Sequence, residues 1–168
     1  GYRNKRFTIW YEKICEGTDI STDLLADECY QIFQSKVAIS SGGLFGLGPG
    51  TSRARWGSLP NSWTDFVGSI AAEEYGFFGL LLLIIGLLSL IISFFGLGLT
   101  SKNEFTRLFF VGMGSWVLIQ TVFNLGGIVG LLPITGIVLP FVAYGSSAMV
   151  SIFIGLTMAY SKDSKEDL

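Results

Sequence analysis

Histidine is absent from the 168 residues, and cysteine occurs twice, at Cys15 and Cys29. The first absence excludes, within this chain, serine–histidine triads and metal sites built on imidazole. There is no Cys-x-x-Cys pair either, so no residues are assigned as metal ligands. Charge is scarce: 14% of residues are Asp, Glu, Lys or Arg, and the net charge is −2 with no basic face. Nucleic acid is therefore not an expected partner. Two long stretches lack charge altogether, Tyr75–Thr100 and residues 108–161. A bilayer core about 30 Å thick is crossed by about 20 helical residues. The second stretch, 54 residues long, thus reads as two spans joined by a short turn. The chain opens on Gly1 without a signal-peptide pattern and ends on a charged tail, "SKDSKEDL". It reads as the C-terminal fragment of a larger membrane protein, with further helices expected to complete the bundle.

What is present is apolar and unevenly spread. Half of the residues are hydrophobic and the mean hydropathy is +0.56. Residues 1–66 carry seven of the eleven Lys and Arg. The first twenty residues mix Arg3, Lys5 and Arg6 with Tyr2, Phe7, Trp10 and Tyr11, which suits a headgroup interface or a solvated loop. Residues 22–39 predict an amphipathic helix, with Leu25, Cys29, Ile32, Phe33 and Val37 on one face and Asp27, Glu28, Gln31, Gln34 and Ser35 on the other. Ser40–Ser52, "SSGGLFGLGPGTS", holds five glycines and a proline and reads as a loop. Its N–H groups could cradle an anion, helped by Arg53 and Arg55, although no Walker Lys follows. The organisation expected is an extracytoplasmic loop over 1–65, spans over 66–99, 108–127 and 139–160, a cytoplasmic loop over 100–107, an outer turn over 128–138 and a cytoplasmic tail over 161–168. The orientation follows from Lys and Arg in the short loops. The turn, with Pro133, Gly136 and Pro140, must be buried in protein or line a cavity. Cys15 and Cys29 would lie outside, where either a disulfide or two buried thiols is compatible with the spacing.

Three carboxylates stand at the threshold of the first span. Thr64 and Asp65 sit where a helix begins, and both types cap N-termini. The alternative for Asp65 is a general base at the membrane surface, with Arg53 and Arg55 near enough in sequence to steady a leaving anion. Glu73 and Glu74 are adjacent, about 100° apart on a helix. One is expected to face inward and the other the interface, with a buried salt bridge or a bond to the turn near Pro133.

The stretches "YRNKRF", "YQIFQSKVAISSGGLFGLGPGTS", "LPNSWTDF", "AAEEYGFFG" and "NLGGIVGLLPITGIVLPFVAYGSS" resemble, in order and spacing, the C-terminal half of the FtsW/RodA/SpoVE (SEDS) family. "GLGPGTS" followed by "RARW" looks more like the division member than the elongation member. The resemblance implies an all-α polytopic protein of ten spans in the bacterial cytoplasmic membrane, of which this chain would hold the large outer loop and the last three helices. It implies a peptidoglycan glycosyltransferase that polymerises lipid II during cell division. Partners would be a class B penicillin-binding protein and other divisome proteins; a divalent cation is the one cofactor left open. The family's essential aspartate falls on Asp65. Arg53, Arg55, Gly42, Gly43, Gly48, Gly50, Gln34 and Ser35 become candidates for holding the diphosphate and sugar. Thr64, Glu73, Glu74, Asn124, Pro133, Pro140 and Tyr144 become structural or supporting residues. The family's usual "LPEAHTDF" departs at Asn61 and Trp63, which removes two polar groups, and its "SYGGSS" reads "AYGSSA" at Ala143–Ala148, where Ser146 replaces the second glycine. Rival readings are a lipid II transporter or flippase, a non-enzymatic scaffold for the transpeptidase, or an elongation role. Charges clustered at the outer edge rather than at mid-membrane favour surface chemistry over transport.

Overall fold

The computed structural model describes residues 23–56, 64–144, 149–150, 152–154 and 157. It contains helix α1 (Asp23–Gly42), a short 3-10 turn (Ala54–Trp56), α2 (Val67–Thr100) and α3 (Glu104–Ile128). Among the described residues there is no strand. The basic–aromatic segment 1–20, the Cys15–Cys29 pairing, Asn61, Trp63 and the tail 161–168 lie outside the described residues.

Among the described residues, helices α2 and α3 are the two elements long and apolar enough to cross a membrane. They form an antiparallel hairpin. In a bilayer the backbone must satisfy itself, and a helix is the only way a single segment can. The turn between them is short because α3 starts inside the polar stretch 100–107: the Asn103 side chain accepts the Phe105 N–H at 2.9 Å and caps the helix, with Glu104 in the first turn. At the other end, Gly130 has φ +80°, the Leu131 N–H donates to Gly126 O at 2.8 Å, and the Gly130 N–H donates to Gly127 O at 3.0 Å. This paired closure needs a residue in the left-handed region, which glycine adopts without strain. Midway along the hairpin, Ile91, Phe94, Phe110 and Val117 make an apolar core. Gly114 lets Phe94 and Phe95 lie within 3.4 Å of where a Cβ would stand.

The 34 residues of α2 are broken once. Gly76 has φ 69° and ψ −163°, and two rungs of the helix ladder are replaced. Glu73 O and Glu74 O accept from Leu47 N and Gly48 N, both at 3.0 Å. Phe77 N and Phe78 N donate instead to Gly43 O (2.9 Å) and Leu44 O (3.3 Å). The glycine-rich loop is thus spliced into the helix, and these four helix groups find their partners in the loop. Phe77–Thr100 alone runs roughly 36 Å, enough to cross the hydrocarbon core.

Helix α1 lies against the start of the hairpin with the opposite face from the one the hydrophobic pattern selects. Ser35 (0% exposed), Ala38 and Gly42 are buried, whereas Phe33 and Val37 are exposed. The reason is distance. A Cβ at Gly42 would overlap the Ala72 carbonyl, so only small side chains fit this contact. Ser35 satisfies its hydroxyl by donating to Ile128 O at 2.7 Å and pairing with the Ser69 hydroxyl at 2.7 Å.

After α3 the chain is irregular from Leu131 to Tyr144. It runs back along the hairpin: Leu139 and Ala143 are buried with Leu87, and Pro133 and Pro140 are also buried. Phe141 holds φ 64°, unusual for a side-chain-bearing residue, and packs onto the Phe94–Phe110 core. Residues 139–144, which hydropathy placed at the start of the last span, are irregular. Hydropathy does not separate irregular apolar backbone buried in protein from helix.

Candidate functional site

The start of α2, the end of α3 and the irregular segment meet at one end of the hairpin. The N-cap residue of α2 is Phe66, with no side-chain cap hydrogen bond. Phe66 is buried among Ala38, Ala54 and Ile128. Asp65, one residue earlier, is therefore not the capping residue. Its half-exposed side chain lies at a recess of roughly 210 Å³, counting the part open to solvent. Phe123, Asn124, Gly127, Ile134 and Gly136 share that lining. Gly136, at φ +70°, lies below the carboxylate: a Cβ there would stand 3.6 Å from Asp65 Oδ2. Asn124, 6% exposed, ties these pieces together. Its Nδ2 donates to Asp65 O at 2.9 Å and to Ile137 O at 2.7 Å.

Glu73 has a different fate. It is 2% exposed. Its Oε2 accepts from the Ser52 hydroxyl at 2.5 Å and from Ala54 N at 3.2 Å, and its Oε1 accepts from Arg53 N at 3.1 Å. The carboxylate thereby caps the 3-10 turn. The expected contact with the turn near Pro133 is replaced by this one. Glu74 is buried as well (6% exposed), so the expected split between an inward and an outward glutamate does not occur. The spliced loop and the 52–54 turn cover α2 from two sides here, which a helical wheel of α2 alone cannot register.

The candidates for anion binding separate accordingly. Leu47 N and Gly48 N are committed to the α2 carbonyls, and Gly46 N to Gly42 O. Gly42 is sealed against Ala72. The loop is a splice, and these amides are not a cradle. Ser35 is likewise a packing residue shut from solvent, while Gln34 is half-buried. Gly43 and Gly50 have positive φ and open space around them, and Arg53 is exposed. The Arg55 side chain is outside the described set. Thr64 is half-buried and Tyr144 is exposed. Among the described residues no three His, Cys, Asp or Glu side chains come together as a metal site. Sequence reasoning missed the break in α2. Its signal was the pairing of a glycine in "EEYG" with the glycine loop, and only chain contact joins the two.

The comparisons agree with this architecture. The FtsW/RodA/SpoVE family model, described as "Cell cycle protein", matches residues 1–166. The chain is 41% identical over 144 residues to a probable peptidoglycan glycosyltransferase FtsW of Bacillus subtilis, covering 81% of this chain and 36% of that protein. It is 40% identical over 137 residues to the Enterococcus hirae protein of the same description, covering 82% and 34%. Stage V sporulation protein E of Bacillus subtilis is 36% identical over 138 residues, covering 81% and 38%. The chain thus spans about a third of the length of the curated relatives it matches. A solved chain described under "Structural coordination of polymerization and crosslinking by a peptidoglycan synthase complex" superposes with a TM-score of 0.67 at 28% identity, covering 98% of this chain and 42% of that one. Two membrane-length helices, a re-entrant apolar segment and these matches lead to one conclusion: the chain belongs to the FtsW/RodA/SpoVE family of multi-pass membrane proteins.

Proposed function

We propose that this chain supplies the general base of a lipid II polymerase acting in bacterial cell division. The observation that carries the reading is the placement of Asp65: a half-exposed carboxylate over Gly136, at the mouth of a recess where three segments converge. The relatives bearing the description peptidoglycan glycosyltransferase support the reaction class. In the reaction, Asp65 takes the proton of the acceptor's GlcNAc 4-hydroxyl as that oxygen attacks the anomeric carbon of the donor MurNAc. The bond from that carbon to the lipid diphosphate breaks, and inversion leaves a β-1,4 linkage. Arg53 and Arg55, with the open backbone at Gly43 and Gly50, are the groups assigned to the departing diphosphate. The Asp65 end faces the outside of the cytoplasmic membrane, and the 101–103 turn faces the cytoplasm. A class B penicillin-binding protein and other divisome proteins are the proposed partners.

A transport role would call for glutamates in a wet span. Glu73 instead is 2% exposed and accepts three hydrogen bonds, which suits a structural role. The test is glycan polymerisation from purified lipid II by the full-length protein with its partner. Asp65→Asn at unchanged melting temperature should lower the rate by about 10²–10⁴-fold. Full polymerisation by the variant would return Asp65 to a structural role.

A further inference from the structure

We propose that Asn124 is the positioning residue of this site: one side-chain amide, on α3, sets where the Asp65 carboxylate stands relative to the Thr135–Ile137 floor. The inference rests on the reading of Asp65 as the base.

Three facts support it. Asn124 Nδ2 has two hydrogens, and each is used on a different segment, Asp65 O at 2.9 Å and Ile137 O at 2.7 Å. The amide cannot be turned over, because its oxygen would then face two carbonyl oxygens. The acidic residue's own main chain and the segment beneath its carboxylate are therefore locked to one point on α3. Second, the lock has a cost that packing alone would avoid. Among the described residues Asn124 Oδ1 is buried without a hydrogen-bond partner, and an orphaned acceptor is destabilising. A leucine at this position would leave no such atom, so what the asparagine supplies is its pair of donors. Third, the geometry being held is the one that matters for proton transfer. Gly136 lies one residue from Ile137, and its virtual Cβ is 3.6 Å from Asp65 Oδ2, so a slide of that segment changes the space in which an acceptor hydroxyl must approach the carboxylate. Misplacement of a reacting group by about 1 Å can cost about 10²-fold in rate.

The experiment compares Asn124→Ala, Asp65→Asn and the double variant in the full-length protein with lipid II, with melting temperatures recorded for each. The expected result is a fall in kcat of about 10²-fold for Asn124→Ala with KM for lipid II unchanged. The same substitution made in the Asp65→Asn background should cause no further loss, because it acts through the carboxylate already removed. If the alanine variant does not fold, Asn124→Ser carries the comparison. Its single hydroxyl hydrogen can hold one of the two carbonyls, and a smaller fall in kcat with the same unchanged KM is expected. Wild-type kcat, a change in KM alone, or an equal fractional loss in both backgrounds overturns the proposal. Failure of the Asp65 reading has a separate signature: Asp65→Asn polymerises like the wild type.

Discussion

At the scale of single residues, two acidic side chains within nine positions, Asp65 and Glu73, do different work because of what surrounds each. Asp65 sits at an open recess, and its carboxylate remains reachable. Glu73 is enclosed and accepts from one hydroxyl and two amides. Hydrogen bonds to a charged group contribute about 1.5–3 kcal/mol each, and leaving donors unsatisfied in a buried site is costly. Glu73→Ala should therefore destabilise the protein by ~3 kcal/mol or more, seen as a large fall in melting temperature in detergent. Glu73→Gln keeps one acceptor oxygen and should fall less. If Glu73 were a transport or catalytic group, Glu73→Gln would lose function at wild-type stability. Ser35 is a milder case of the same kind: Ser35→Ala strands Ile128 O and the Ser69 hydroxyl, and about 1–3 kcal/mol of stability is expected to go. The sequence pattern assigned Ser35 to an outer polar face, because a hydrophobic wheel scores what a side chain is and not how close a neighbouring backbone comes.

At the scale of elements, the break in α2 is the feature that organises the Asp65 end of the hairpin. It lets the first two turns of the helix leave the axis of the span and carry Asp65 toward the recess. Its stability depends on glycine at a few positions. Gly76 has φ 69°, and a Cβ there would meet backbone atoms of Leu44 and Gly46, which cannot swing aside as a side-chain tip can. Gly76→Ala is expected to abolish accumulation of folded protein. Gly86, ten residues along the same helix, has open space around its virtual Cβ, and Gly86→Ala should be tolerated or slightly stabilising, by about 0.5–1 kcal/mol. Fluorescence-detected size-exclusion profiles of the two variants make the comparison. Equal profiles would mean that the splice is not needed. The irregular segment 131–144 is the second organising element, and its Leu139, Phe141 and Ala143 pack on α2 and α3.

At the scale of the whole molecule, the hairpin puts the polar 101–103 turn and the Asp65 recess at opposite ends of two membrane-length helices. Large apolar side chains such as Leu82, Ile92 and Leu99 are exposed along α2, as expected for surface that faces lipid or neighbouring helices rather than water. The proposed orientation makes a direct prediction. With Cys15 and Cys29 replaced, Thr135→Cys should react with a membrane-impermeant maleimide in intact cells lacking an outer membrane, and Lys102→Cys only after permeabilisation. The reverse pattern would invert the topology and place Asp65 on the wrong side for an extracellular polymer.

Much of this was determined by sequence alone. Charge-free runs of membrane length, the glycine loop, the prolines of the last segment and the family motifs require no neighbours to be recognised, because they reflect local backbone preference and transfer from water to lipid. The aspartate, too, was legible as one of two roles. What only tertiary structure decided is which groups face each other. The glycine loop replaces two rungs of α2, which takes up the Leu47 and Gly48 amides. Both glutamates are buried, and α1 presents its small residues inward. Asn124, among the last residues of α3, reaches a carbonyl 59 positions earlier in the chain. Those outcomes depend on close approach between segments far apart in sequence, and close approach is set by packing, which no single segment encodes.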